Sequence, residues 1–143
     1  LGLARLGAKV TLASPKKNRI PRHVREKLDK IEGDVNEAFD LNQNQFNELI
    51  SDMDLVYLPG CSAPKGPEAE AFKKLMDDYY VRFDALDKVR QDSGKIIRVT
   101  HTLPRRAGEM DPAIDASPHQ QYFEAIAYSV SLRMALVLSI VGL

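Results

Sequence analysis

The sequence predicts an α/β domain: a doubly wound, mostly parallel sheet with helices on both faces and a long apolar helix at its C-terminal end. Short apolar runs bounded by turn residues alternate with segments whose apolar residues recur at helical spacing. That alternation is typical of parallel strands joined through helices by right-handed crossovers. With 143 residues, 44% of them hydrophobic, the chain is long enough for one domain with its own core.

The first part of the chain contains two predicted strands. Gly7 can end a preceding helix because glycine readily adopts the left-handed conformation of a C-cap, and we therefore expect residues upstream to be missing. Residues 8–13 then form a short buried strand that Ser14-Pro15 ends. Pro21 begins a helix that extends to residue 31, since a proline in the first turn removes no helical hydrogen bond. Residues 34–40 alternate weakly in polarity and form the second strand.

A third strand and an irregular loop follow. Asn42 or Asn44 can cap a helix through residues 45–50. Residues 54–58 are a mainly apolar run, which is typical of a buried parallel strand. The loop at residues 59–67 contains three prolines and two glycines, which exclude regular structure there. A long loop at the carboxyl end of a strand often carries function.

The second half ends in a helix that is apolar nearly all round. The elements predicted here are helices at residues 68–78 and 84–91, the latter capped by Asp84, strands at 79–83 and 96–100, and the last helix at 120–141. A helix with apolar residues on every side is buried on several sides. One small domain cannot cover it, so we expect a second domain or subunit to pack on its far side.

Charge and cysteine content exclude several classes of protein. The net charge is zero and the pI is about 7.0, which argues against nucleic-acid and membrane-surface binding. The single cysteine, Cys61, excludes an internal disulfide and a cysteine-based zinc site, and it favours a cytoplasmic location. No histidine pair has metal-site spacing, so we predict no metal and no cofactor. The apolar segment 130–143 is too short to span a bilayer and contains Arg133.

The turn His101-Thr102-Leu103-Pro104-Arg105-Arg106 follows the strand at 96–100 and is the principal candidate site. In open parallel sheets, ligands bind at the carboxyl ends of the strands. One imidazole, two guanidinium groups and a bend fixed by proline suit an anionic small molecule. The alternative is an exposed loop with solvated arginines, because most charged side chains are exposed. We expect His23 and His119 to be surface or capping residues.

A basic cluster at residues 16–25 leaves a dinucleotide-binding function open. Such a cluster after the second strand of a Rossmann fold can hold a 2′-phosphate. However, the complete Gly-x-Gly-x-x-Gly turn does not occur in the chain. A solvated loop and helix face is the simpler interpretation of the cluster.

Motifs in the C-terminal third resemble those of a known family. The motif His101-Thr102-Leu103-Pro104-Arg105, the pair Tyr122-Phe123 after Pro118, and Arg133-Met134-Ala135-Leu136 occur in this order. They resemble the carboxyl-terminal part of the aspartate/ornithine carbamoyltransferase family, closer to the aspartate branch, where the first motif is His-Pro-Leu-Pro-Arg. The run Asp54-Leu55-Val56-Tyr57 matches the same family. The resemblance implies that residues 1–143 are the amino-acid-binding domain and that the carbamoyl-phosphate-binding domain is not in this chain.

The resemblance implies a reaction in which an amine attacks the carbonyl carbon of carbamoyl phosphate and phosphate leaves. It implies that the backbone carbonyls of Thr102 and Leu103 accept hydrogen bonds from the carbamoyl NH2, which offers only donors, in a turn shaped by Pro104. Arg105 would hold the loop or orient an anionic substrate, and Arg133 would tie the last helix to the site. A cytoplasmic homotrimer, carbamoyl phosphate and an amino acid as ligands, and pyrimidine biosynthesis are further implications.

The sequence departs from the family at two places. Thr102 stands where the family has proline, which a role for the backbone tolerates. After the strand at 54–58 the aspartate branch carries Thr-Arg-x-Gln to grip the substrate carboxylates, whereas this chain has Pro59-Gly60-Cys61-Ser62. Gly60 cannot replace a guanidinium, so the identity of the amine is open. Ser62 and Lys65 either contact a different amine or belong to a spacer loop.

Two functions remain as hypotheses beside the nicotinamide-dinucleotide-binding domain. The first is carbamoyl transfer to an amine by a larger enzyme of which this chain is a part. The family's Ser-Thr-Arg-Thr and His-Pro-x-Gln motifs do not occur here, so we expect the chain alone to have no carbamoyltransferase activity. The second is a non-catalytic homologue that acts as a binding or regulatory subunit.

Overall fold

The computed structural model describes residues 2–31, 33–60 and 64–142. Within these ranges helices and parallel strands alternate along the chain, which confirms the predicted α/β class. The strands are β1 (Val10–Ser14), β2 (Val35–Phe39), β3 (Leu55–Leu58) and β4 (Arg98–His101). The α-helices are α1 (Gly2–Arg5), α2 (Arg22–Leu28), α3 (Gln43–Ser51), α4 (Ala69–Asp78), α5 (Phe83–Ser93) and α6 (Tyr122–Val141).

The first strand pair is a βαβ unit in which α2 connects β1 to β2. Helix α1 ends as predicted, because Gly7 has φ +82° and its amide donates to the carbonyl of Ala4. Helix α2 begins directly after Pro21. Strands β1 and β2 pair in parallel, with Val10 opposite Val35. The residues of β1 are only half-buried, so this pair lies at the margin of the core.

Helix α3 begins at a capping box. The side chain of Asn42 accepts a hydrogen bond from the Gln45 amide, and the Gln45 side chain accepts one from the Asn42 amide, both at 3.0 Å. Of the two caps that the sequence allowed, the structure therefore has Asn42. The helix turns Phe46 and Ile50 into the core.

Two predictions for residues 79–84 are wrong. The expected strand at 79–83 is reduced to a single parallel bridge between Val81 and Met110, because α5 already begins at Phe83. Asp84 lies inside the first turn of α5 and accepts from the neighbouring Ala85 amide, so it does not cap the helix. Residue 81 is completely buried, and burial alone accounts for the apolar signal there.

The second strand pair carries the core. Strands β3 and β4 are parallel, and Leu58 lies opposite His101 at their carboxyl ends. The largest fully buried side chains of the described residues are Val81, Leu86, Ile97, Val99, Met110, Ile114, His119 and Tyr122. Among the described residues the four strands form two separate two-stranded sheets. The alternation in sequence thus predicts the parallel direction of the strands but not that neighbouring pairs stay apart.

Helix α6 differs from the prediction in its exposure. Only Tyr122 in its first turn is buried, whereas the apolar residues that follow are exposed within the described chain. By length and composition this 20-residue helix could also cross a bilayer, although the core helix of a soluble protein meets the same criteria. The prediction that the apolar segment is too short to span a bilayer counted only residues 130–143. It is wrong on length, because the helix begins at residue 122. Arg133 remains near its middle, where a charge is costly in lipid.

Candidate active site

The predicted basic turn lies at the carboxyl edge of the β3–β4 pair. Strand β4 ends at His101, next to the end of β3, and the chain then bends through Thr102, Leu103 and Pro104. Leu103 has φ +47° and the Leu103–Pro104 peptide bond is cis. A left-handed backbone at a residue other than glycine is uncommon and persists only where surrounding contacts hold it.

His101 and Glu109 form a buried pair beneath the turn. Their exposed fractions are 3% and 4%, and the distance from His101 Nε2 to Glu109 Oε2 is 3.0 Å. The Leu103 amide donates to His101 Nδ1 at 2.8 Å, and the Arg106 amide donates to Glu109 Oε2 at 2.7 Å. The pair thus binds both ends of the turn from inside.

The end of β3 closes one side of the turn. Thr102 Oγ1 donates to the Pro59 carbonyl at 2.9 Å. Gly60 has φ +78°, and a Cβ placed on it would lie 3.5 Å from Thr102 Oγ1 and 3.7 Å from His101 Cε1. The loop that departs from the aspartate branch in sequence therefore contacts the turn directly.

Arg105 is held by an ion pair that leads to α6. Its guanidinium donates two hydrogen bonds to Asp115, one of them at 2.9 Å from Nη2 to Oδ2, and Tyr122 donates its hydroxyl to the same carboxylate. The hydrogen bond from Arg105 holds the pKa of Asp115 below its ordinary value, although desolvation acts against it. Burial raises the pKa of Tyr122, and the hydrogen bond to Asp115 raises it further to a smaller extent. The geometry joins Arg105 to Asp115, and both roles considered for Arg105, holding the loop and orienting an anionic substrate, stay predictions.

Within the described residues, no hydrogen bond or ion pair joins Lys65 or Arg133 to the turn. Lys65 is exposed and precedes a short 3₁₀ turn at Gly66–Glu68. Arg133 is exposed in the middle of α6, beside Met134 and Val137, and within the described ranges no hydrogen bond or ion pair joins it to the turn. Ser62 lies outside the described residues.

Three residues of the site were not assigned a role from sequence: Glu109, Asp115 and Tyr122. Their function depends on a partner that the fold brings near, so neither spacing nor composition identifies them. His23 is exposed as expected, whereas the surface role predicted for His119 is wrong. His119 is completely buried and its Nδ1 lies 2.8 Å from the Ile97 carbonyl, which it binds as a donor.

The chain is similar in sequence to proteins of one family. The family described as "Aspartate/ornithine carbamoyltransferase, Asp/Orn binding domain" matches residues 1–140. The chain is 68% identical over 142 residues to a ureidoglycine carbamoyltransferase of Rubrobacter xylanophilus, covering 99% of the chain and 42% of that relative. It is 33% identical over 141 residues to the aspartate carbamoyltransferase catalytic subunit of Methanopyrus kandleri, covering 98% and 42%. The chain thus spans less than half the length of these relatives.

A solved structure shares the fold. It is an aspartate transcarbamoylase of Trypanosoma cruzi in complex with carbamoyl aspartate and phosphate, with a TM-score of 0.68 at 23% identity, covering 92% of this chain and 40% of that one. The comparison supports the α/β architecture of the chain. None of these similarities favours the dinucleotide-binding alternative.

Proposed function

Because the chain belongs to the aspartate/ornithine carbamoyltransferase family, we propose that it is the amino-acid-binding domain of an enzyme that carbamoylates the amine of ureidoglycine. The 68% identity to a ureidoglycine carbamoyltransferase supports this amine over aspartate, for which the relative named above is 33% identical. Ureidoglycine then replaces the amino acid of pyrimidine biosynthesis as the acceptor.

Gly60 is the observation that carries the choice of amine. Gly60 contacts the turn at the position where the aspartate branch has an arginine. A glycine supplies no positive charge at that position. Aspartate has two carboxylates to neutralise, whereas ureidoglycine has one carboxylate and a neutral ureido group. A neutral group needs hydrogen-bond partners rather than a second cation. A cation that lacks an anionic partner in a partly desolvated site costs free energy, because it has lost part of its hydration.

The reaction at this edge follows from the chemistry of acyl transfer. The amine nitrogen of ureidoglycine attacks the carbonyl carbon of carbamoyl phosphate and gives a tetrahedral intermediate. The bond from carbon to the phosphate oxygen then breaks, phosphate leaves and the nitrogen loses a proton, which gives a diureido acid. Thr102 and Leu103 would orient the carbamoyl group through their backbone carbonyls, which accept no hydrogen bond within the described chain.

The assembly is part of the same proposal. The relatives extend beyond this chain, and α6 exposes apolar residues that a second domain or subunit would cover. We propose a cytoplasmic homotrimer whose sites are completed by the carbamoyl-phosphate-binding domain, while the isolated chain has no activity. Size measurement of the complete protein, by light scattering, tests the trimer.

The test of the function is a product assay on the complete polypeptide. It receives carbamoyl phosphate with ureidoglycine, aspartate or ornithine in separate reactions, and the reaction is also run in reverse from the diureido acid and phosphate. We expect product with ureidoglycine alone. Product with aspartate or ornithine only would overturn the choice of amine, and no product from folded protein would favour the non-catalytic homologue.

Variants at Gly60 test the observation itself. Alanine adds backbone strain at φ +78°, about 1–2 kcal/mol, without a charge, and it is the control for arginine, which adds both. We expect Gly60→Arg to lower kcat/KM for ureidoglycine at least about 10-fold below Gly60→Ala, since the guanidinium occupies space beside Thr102. Equal values for the two variants would mean that residue 60 does not select the amine.

A further inference from the structure

Glu109 is a buried carboxylate that lies where three segments of the site meet. Its Oε2 lies 3.0 Å from His101 Nε2, at the start of the turn, and 2.7 Å from the Arg106 amide, at its end. Its Oε1 lies 3.8 Å from the position of a Cβ on Gly60, at the end of β3. A carboxylate that is 4% exposed is costly to bury, so its position is set by the groups that it binds.

The contacts of His101 determine which ring nitrogen carries the proton. The Leu103 amide is a donor, so His101 Nδ1 must accept and carries no proton. In the neutral ring the proton is then on Nε2, from which it is donated to Glu109. Glu109 and the Leu103 amide therefore favour the same tautomer from opposite sides of the imidazole.

We propose that Glu109 is a positioning residue for the carbamoyl group. By accepting from Nε2 it keeps Nδ1 available to the Leu103 amide, which in turn holds Leu103 at φ +47° and fixes the directions of the Thr102 and Leu103 carbonyls. The inference rests on the proposed function for the identity of the ligand that these carbonyls meet. The contacts that lead from Glu109 through His101 to Leu103 do not depend on which amine the enzyme uses.

A purely structural role of Glu109 predicts different behaviour. Its backbone carbonyl accepts from the Val81 amide at 3.3 Å, and the next residue, Met110, is in the core. A substitution at position 109 could therefore lower stability without any effect on the ligand. The two roles separate when residue 101 is also varied, because only the positioning role passes through it.

The first experiment compares two replacements of His101 in the complete enzyme. In His101→Asn, Oδ1 is three bonds from Cα, as Nδ1 is, and can still accept from the Leu103 amide. In His101→Gln, the amide can still reach Glu109 but leaves Leu103 without its acceptor. We expect the KM for carbamoyl phosphate to rise at least about 10-fold more in His101→Gln than in His101→Asn. Equal KM values in the two variants would overturn the proposal.

The second experiment is a double-mutant cycle with position 109. We expect Glu109→Ala to raise the KM for carbamoyl phosphate at least about 10-fold. Glu109→Gln keeps a hydrogen-bond acceptor, so its KM should stay close to that of the wild type. When Glu109→Ala is added to His101→Asn, we expect little further rise in KM. The same effect in both backgrounds would show a structural role and overturn the proposal. If Glu109→Ala does not fold, the comparison at residue 101 decides.

A spectroscopic measurement separates this inference from the proposed function. In ¹⁵N spectra of the complete enzyme with labelled histidine, we expect His101 Nδ1 to have the shift of an unprotonated acceptor and Nε2 that of a protonated nitrogen. A protonated Nδ1 would overturn the inference even if the enzyme is active. The absence of ureido product together with the expected tautomer would instead overturn the proposed function and leave the arrangement of Glu109 and His101 standing.

Discussion

Asp115 is the residue through which the turn is joined to α6. It accepts from Arg105, which belongs to the turn, and from Tyr122, which is in the first turn of the helix. Since the ion pair is partly exposed, its contribution to stability is limited by solvent screening. Its main consequence is geometric: the position of the turn depends on that of the helix.

We predict that Asp115→Asn lowers the free energy of unfolding by about 1 kcal/mol at neutral pH, because Arg105 and Tyr122 lose a charged acceptor. The pKa of Asp115 is lowered in the folded chain, so this stabilisation is complete above the ordinary aspartate pKa of 3.8 and is lost as the pH falls through the folded value. Denaturant midpoints should therefore converge for wild type and Asp115→Asn below pH 3.8. Asp77→Asn, an exposed change on α4, is the control and should show no such convergence.

Some residues of the site can be identified from the sequence alone, and others cannot. The turn from His101 to Arg105 could be located because a basic, proline-containing segment directly follows an apolar strand. Glu109 and His119 could not be assigned, since their burial and their hydrogen bonds, to His101 eight residues away and to Ile97 22 residues away, arise only in the folded chain. Arg105 was identified, but its engagement with Asp115 is visible only in three dimensions.

At the scale of elements, the exposed surface of α6 is the feature with the clearest consequence. The exposed side chains include Leu132, Met134, Leu136, Val137, Leu138 and Ile140. An apolar surface of this extent in contact with water promotes association. The first turn is the exception, because Tyr122 and its hydrogen bond fix the start of the helix to the core.

We predict that the isolated chain of 143 residues binds a hydrophobic dye or aggregates, whereas the complete polypeptide does neither, because a second domain or subunit covers α6. Dye fluorescence and light scattering of the two proteins at equal concentration provide the measurement. A monodisperse isolated chain without dye binding would contradict the prediction. Binding of the complete polypeptide to lipid vesicles would show instead that α6 enters a membrane.

The sequence predicts most elements but not all of their limits. Apolar periodicity located the helices α3, α4, α5 and α6 and the strands β3 and β4 to within a few residues. It failed at residues 79–83, where one buried valine and its neighbours have a strand-like composition and yet form only one bridge. Whether an apolar segment pairs or is simply buried depends on what lies beside it, and local sequence does not contain that information.

At the scale of the whole molecule, the fold consists of a β1–β2 pair that is mostly half-buried and a β3–β4 pair that carries Val56 and Val99 of the core. The prediction of a fully buried strand at residues 54–58 is wrong, because Leu55 and Tyr57 alternate with Val56 and are exposed within the described chain. The sequence predicts the class and the parallel direction, because both follow from the order of elements along the chain. It does not predict that the two pairs stay apart, since pairing between β1 and β3 would involve the same kinds of residue. The site belongs entirely to the β3–β4 pair.

The separation of the two pairs has a consequence for the order in which the chain assembles. Strands β1 and β2 join positions 10 and 35, whereas β3 and β4 join positions 55 and 98, so the first pair closes the shorter loop and loses less chain entropy on forming. Of the residues of this pair, Ala13 alone packs against the main hydrophobic core of the described chain, so we expect the pair to open more easily than β3 and β4 do. The unit that forms with the least entropic cost is therefore the first to open, while the edge with His101 and Glu109 belongs to the part that forms late and persists.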